Sequence, residues 1–102
     1  MNDSITIQEF LTLAAKNSLH VLDLRDPDMF DTTDLTSFTK VTEIPLTQLV
    51  NQFTQLDKAK TYYLFSQFGD HSETMARFLR QKGYHVVNVI GGATAFTHYL
   101  AS

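Results

Sequence analysis

The sequence predicts an α/β fold, a parallel sheet with helices on both faces. Three observations predict it. Short apolar, β-branched or aromatic runs alternate along the chain with stretches whose apolar residues recur at helical spacing. The runs His20–Arg25 and Val86–Ile90 are of the type that suits strands buried in a parallel sheet. The turns after two of the runs carry glycine, Gly69 after Phe65 and Gly91-Gly92 after Ile90. A chain of 102 residues with 43% apolar and 12% aromatic content builds one real core, so residues 1–102 read as a single domain.

In chain order, Ile5-Thr6 reads as a very short first strand. Thr6-x-x-Glu9 is a capping box, and Ile7, Phe10, Leu11 and Ala14 follow at helical spacing, with Asn17-Ser18 as the stop. His20–Arg25 is the next strand, and Asp26-Pro27-Asp28 turns the chain. Residues 31–40 are polar and rich in threonine, a surface loop. Val41–Ile44 reads as a strand closed by Pro45. Thr47 is placed to cap a short helix carrying Leu49, Val50 and Phe53, with Leu46 as its hydrophobic staple. Asp57-Lys58-Ala59-Lys60 is a solvated connection before the strand Thr61–Phe65.

A helix over 72–82 follows, with Asp70 or Ser72 as its cap, Glu73 at its positive end, Arg77, Arg80 and Lys82 toward its negative end, and Gly83 as the stop. Val86–Ile90 is the last strand. Ala95, Phe96, Tyr99 and Leu100 are expected to line the inner face of a final helix. In open sheets of this class ligands sit beyond the carboxyl ends of the strands. Arg25-Asp26, the turn after Phe65 and Gly91-Gly92 all lie at such ends.

The bulk numbers remove several functions. The net charge is −3 and mixed in sign, with no basic stripe, which argues against nucleic acid. No apolar run reaches the roughly 18 residues of a membrane span. Met1-Asn2-Asp3-Ser4 has neither a basic nor an apolar leader region, so the cytoplasm is expected. The chain has no cysteine, which excludes disulfides, thiolate metal sites and a cysteine nucleophile. His20, His85 and His98 lack ligand spacing for zinc. Asp26, Asp28, Asp31 and Asp34 lack the glycine and glutamate of a calcium loop. No metal and no cofactor are expected.

The stretch that gathers chemistry is Ser66-Gln67-Phe68-Gly69-Asp70-His71-Ser72. A strand feeding a helix through a glycine turn points backbone N–H groups and a helix N-terminus at one small volume, which favours an anion. Asp70 works against it, because its carboxylate can cap the amides of Ser72 or Glu73 and occupy the site from within. His71 is the adjustable charge. Phe68, at the loop tip, either folds back into the pocket, as loop apolar residues more often do, or faces a partner. Ser66, His71 and Asp70 do not make a hydrolase: adjacent Asp70 and His71 diverge on a turn, and no Gly-x-Ser-x-Gly elbow is present.

Four motifs in order resemble the rhodanese-like family, whose active members are single-domain sulfurtransferases. They are Val21–Phe30, a hydrophobic-Asp-hydrophobic-Arg-acid-Pro-x-x-Phe segment; Ile44-Pro45-Leu46-Thr47-Gln48-Leu49; Gly83-Tyr84; and Val87–Phe96 with its double glycine. The resemblance covers nearly the whole chain and implies a five-stranded parallel sheet flanked by helices. The family's loop reads Cys-Arg-x-Gly-x-Arg followed by Ser, with sulfur carried as a persulfide on the cysteine and held by loop amides. Here Ser66 takes the cysteine position and Gln67 and His71 the arginine positions, while Gly69, Ser72 and the loop length are kept. The segment Thr36–Val41 also departs, lacking the family's glycine and proline before Ile44.

Persulfide chemistry needs a polarisable, low-pKa sulfur, which a serine hydroxyl is not. Loss of both arginines beside the Ser66 change argues for natural degeneration rather than a laboratory trap. The resemblance therefore implies the fold and a module without turnover, with no catalytic residue. Asp23 and Arg25 are supporting residues that pair with neighbouring loops at the sheet edge. The alternatives are an enzyme in which a partner's thiol carries the sulfur and this loop holds the anion, and an interaction domain that uses Phe68 and the apolar rim.

Overall fold

The computed structural model describes residues 4–25 and 40–101. Five strands form one parallel sheet: β1 (Ser4–Ile5), β2 (His20–Asp23), β3 (Lys40–Glu43), β4 (Thr61–Phe65) and β5 (His85–Val89). Their spatial order is β1-β5-β4-β2-β3. Among the described residues four helices accompany them, the last of which follows β5: α1 (Ile7–Lys16), α2 (Leu46–Gln52, continued by a 3-10 turn to Gln55), α3 (Asp70–Gln81) and α4 (Gly92–Ala101). No helix among the described residues is long and apolar enough to cross a membrane.

Alternation along the central strands splits the core in two. Val21, Phe65, Val87 and Val89 face one way, where Phe10 and Ala14 of α1 and Ala93 and Phe96 of α4 pack on them. Leu22, Tyr62, Leu64 and Val86 face the other way, against Leu49 of α2 and Met75, Ala76 and Leu79 of α3. The sheet is thus covered on both faces, and its loops emerge at the carboxyl ends of β2, β4 and β5. Register places Leu64 beside Asn88, so Asn88 points to the α3 side.

The capping box forms as the sequence indicates: Glu9 N–H donates to Thr6 Oγ1 at 3.1 Å and Thr6 N–H to Glu9 Oε1 at 3.0 Å. Other boundaries differ, each for a local reason. Thr47 does not cap α2; it lies inside the helix, because Pro45 with its fixed φ already starts the turn. α3 begins two residues before 72, since Gly69 at φ +91 supplies the entry without a side-chain cap. β3 starts at Lys40, inside the expected loop, and stops before Ile44. Ile90 lies outside β5 and is 49% exposed, and Tyr99 on α4 is 41% exposed rather than core; Ala93 takes the inward place. The turn expected at 26–28 and the rest of the threonine-rich loop lie outside the described residues, as do the four aspartates of that stretch.

The β5–α4 corner is built from glycine for want of space. A Cβ on Gly92, at φ +53, would stand 1.9 Å from the Ser66 carbonyl oxygen. At Gly83, also at positive φ, a Cβ would meet only the end of Lys58 at 3.5 Å. Gly92→Ala is therefore expected to destabilise the fold by about 3 kcal/mol or more. Gly83→Ala should cost only the left-handed backbone penalty, about 1–2 kcal/mol. Urea melts of the two variants check the order.

Candidate functional site

The loop between β4 and α3 is held by the backbone of α4. Ala93 N–H donates to the Ser66 carbonyl at 2.8 Å and Thr94 N–H to the Gln67 carbonyl at 2.9 Å. The Thr94 hydroxyl adds a third bond to the Gln67 carbonyl at 3.0 Å. Gly69 presses on Gly91, where a Cβ would lie 2.5 Å from the Gly91 nitrogen. Two glycine contacts and three hydrogen bonds thus fix the loop from outside its own sequence. The double glycine, legible as a strand break, is also the loop's seat.

Inside the loop the centre is Ser66, 2% exposed. Its Oγ accepts from Gly69 N–H at 3.0 Å and Ser72 N–H at 3.4 Å, and it donates to Ser72 Oγ at 3.0 Å. The Ser72 hydroxyl faces two acceptors, Asn88 Oδ1 and, at 3.1 Å, the Gly69 carbonyl. Asn88 Nδ2 donates to that same carbonyl at 3.3 Å. The sequence argument missed Asn88 as a site residue. Its signal was one amide side chain inside the otherwise apolar run Val86–Ile90.

Every described group that accepts the Ser66 or Ser72 proton is a hydroxyl, an amide oxygen or a carbonyl, and none is a base. Asp70 and His71 are exposed at the start of α3. The capping expected of Asp70 does not occur. Its carboxylate accepts the neighbouring His71 N–H at 2.9 Å, the Ser72 amide goes to Ser66 Oγ, and the Glu73 amide goes to the Gly69 carbonyl. The group that fills the loop from within is the Ser66 oxygen. Phe68 does not fold back; it is 65% exposed at the tip.

A cleft of about 360 Å³ opens over the loop, walled by Leu24, Leu46 and Phe68, with Arg25, Ser66 and His71 on its lining. Arg25 is buried. Its Nη2 donates to Asp23 Oδ2 at 2.7 Å and its Nε to Asp23 Oδ1 at 3.0 Å, with the guanidinium 5.3 Å from the Phe65 ring centroid. Asp23 and Arg25, the two expected supporting residues, bond each other at the end of β2 beneath the mouth. Among the described residues no cluster of three His, Asp or Glu side chains forms a metal site.

A rhodanese-like domain model matches residues 6–99. The chain belongs to the rhodanese-like family. It is 36% identical over 90 residues to a tRNA sulfurtransferase of Shewanella sp. (strain ANA-3), an alignment that covers 87% of this chain and 18% of that protein. The chain thus spans less than a fifth of the curated relatives it matches. A rhodanese-like domain protein from Staphylococcus aureus superposes with a TM-score of 0.78 at 25% identity, covering 94% of this chain and 91% of its own. Reduced CoADR-RHD of Bacillus anthracis gives a TM-score of 0.79 at 26% identity, over 98% of this chain and 17% of that one. The rhodanese-like sheet order and helix placement therefore hold across this chain, around a loop whose central atom is oxygen.

Breaking one side of a buried ion pair strands the other charge. Arg25→Leu is expected to cost about 3–5 kcal/mol. Asp23→Leu combined with Arg25→Leu should recover a large part of that loss, and denaturant melts of the single and double variants test the difference.

Proposed function

We propose that this rhodanese-like domain is a binding module without sulfurtransferase turnover. The observation that carries the reading is the Ser66 oxygen, buried in the loop, met by two backbone amides and lacking a base. A persulfide needs a sulfur that can be attacked and released; a hydroxyl in the same seat can only accept and donate hydrogen bonds. Gln67 and His71 stand where active loops carry arginines, so those two positions supply no fixed charge to draw an anionic substrate.

The mouth retains a weak ligand capacity. The α3 N-terminus contributes about half a positive charge, His71 lines the cleft and Asp70 opposes it. A small anion binding beside His71, and a protein partner meeting the exposed Phe68, are the two contacts this module offers. The relatives named tRNA sulfurtransferase support a second reading, in which a partner's thiol brings the sulfur and this loop holds it. Cyanide-dependent thiosulfate assays of the domain alone, and then with a persulfidated donor protein, separate the two.

Purified protein is expected to show no thiosulfate sulfurtransferase activity above buffer. Turnover that persists and vanishes in Ser66→Ala would overturn the reading. Ser66→Cys alone should remain well below Ser66→Cys combined with Gln67→Arg and His71→Arg, because one well-placed electrostatic donor is worth about 10²–10³ in rate. Equal rates for the single and triple variants would remove the arginines from the account.

Sulfate is expected to shift the amide resonances of Phe68 to Ser72, and Asp70→Asn should strengthen the binding by removing the carboxylate that opposes an anion at the mouth. Equal affinity in the parent protein and Asp70→Asn would remove Asp70 from the account.

A further inference from the structure

We infer that Asn88 is a positioning residue that sets the direction of hydrogen bonding through the loop, and so tunes position 66 for a neutral group rather than an anion. The inference goes beyond the binding reading and stands whether or not the mouth takes a ligand. It rests on the Ser66–Ser72–Asn88 chain, in which each hydroxyl has only one proton to give.

The chain has one consistent polarity. The Gly69 carbonyl is acceptor only, so the amide end of Asn88 that meets it at 3.3 Å is Nδ2. That orientation turns Oδ1 onto the Ser72 hydroxyl. Oδ1 is also acceptor only, so the Ser72 proton is drawn toward β5. The other acceptor near that hydroxyl, the Gly69 carbonyl at 3.1 Å, equally leads away from Ser66. Ser72 Oγ must then act as acceptor toward Ser66, and the Ser66 proton points to it across 3.0 Å.

The consequence falls on position 66. A negative atom there would keep the two amide donors of Gly69 and Ser72 but would face the lone pairs of Ser72 Oγ. It could gain a third donor only by pulling the Ser72 proton off Asn88. Asn88, at 3% exposure on a strand interior, therefore holds one hydrogen-bond donor out of the loop. A neutral hydroxyl suits this arrangement, because it accepts two bonds and donates one. Asn88 touches no ligand in this account and acts only through Ser72.

A thiol placed at position 66 reads the effect directly, since a thiolate is stabilised by each donor it gains. Among the described residues, the charged groups around the loop are Arg25 at the end of β2, ion-paired to Asp23, with Asp70, His71 and Glu73 from α3. β5 and α4 bring Asn88, Ala93 and Thr94 to the loop, none of them titratable. All the charged groups are common to the four proteins compared, so they cancel.

The experiment measures the pH dependence of iodoacetamide alkylation in S66C, S66C/N88L, S66C/S72A and S66C/S72A/N88L. N88L should lower the alkylation midpoint by about one pH unit, because the freed Ser72 hydroxyl turns to the thiolate, a stronger acceptor than the Gly69 carbonyl. S72A alone should barely move the midpoint, and N88L should have no effect once Ser72 is gone. An N88L shift that survives S72A, or no N88L shift at all, overturns the proposal. Should N88L fail to fold, the S72A arm decides alone: a midpoint raised by about one unit would mean that Ser72 already donates to position 66, and the proposal fails.

Discussion

The structure depends on a place where two backbones touch with no room for a side chain between them. Gly92 lies against the Ser66 carbonyl and Gly91 against Gly69, and the first amides of α4 close on the carbonyls of Ser66 and Gln67. The carbonyls of the turn are thereby tied outward to α4. Its amides of Gly69 and Ser72 are left to meet at one point inside. A peptide hydrogen bond in this setting contributes only about 1 kcal/mol net, and leaving its partners unpaired in a buried turn costs more. The clamp is therefore a geometric constraint first and an energetic one second.

That constraint is written in the backbone and uses no side-chain atom of position 66. This explains how a rhodanese-like chain can carry oxygen at its centre and still superpose closely on family members. The supporting residues have the same character. Asp23 and Arg25 form an ion pair under the mouth, and Arg25 stacks toward Phe65. The site's own chemistry lies in the loop side chains that face the cleft. They are a hydroxyl in the seat, an amide and an imidazole at the flanks, a carboxylate beside them, and an aromatic ring turned to solvent.

The sheet and most helices were legible because their signals are local. The Thr6–Glu9 box, the apolar runs of β2, β4 and β5, and the stop at Gly83 each need only a few neighbouring residues. Boundaries failed where backbone replaced side chain. α3 enters through the left-handed Gly69 rather than through a capping carboxylate, so Asp70 was assigned a task that Ser66 and Gly69 perform. The position of Phe68 was not legible, since whether a loop apolar residue finds cover depends on walls supplied by other elements. Asn88 was readable in principle. A lone amide in an apolar strand needs partners, and those partners, Ser72 and Gly69, lie 16 and 19 residues earlier in the chain.

The clamp also fixes an order in time. Thr94 holds a carbonyl 27 residues upstream, and β1 pairs with β5, the last strand to be made. During synthesis the segment from Ser66 to Ser72 leaves the ribosome before β5 and the first turn of α4 that clamp it. Contacts of long sequence separation form late and slowly. The loop therefore spends its first moments as an ordinary flexible turn, with Phe68 and an unclamped strand edge on display. It becomes a clamped turn only when β5 has added beside β4 and the first turn of α4 has closed over it.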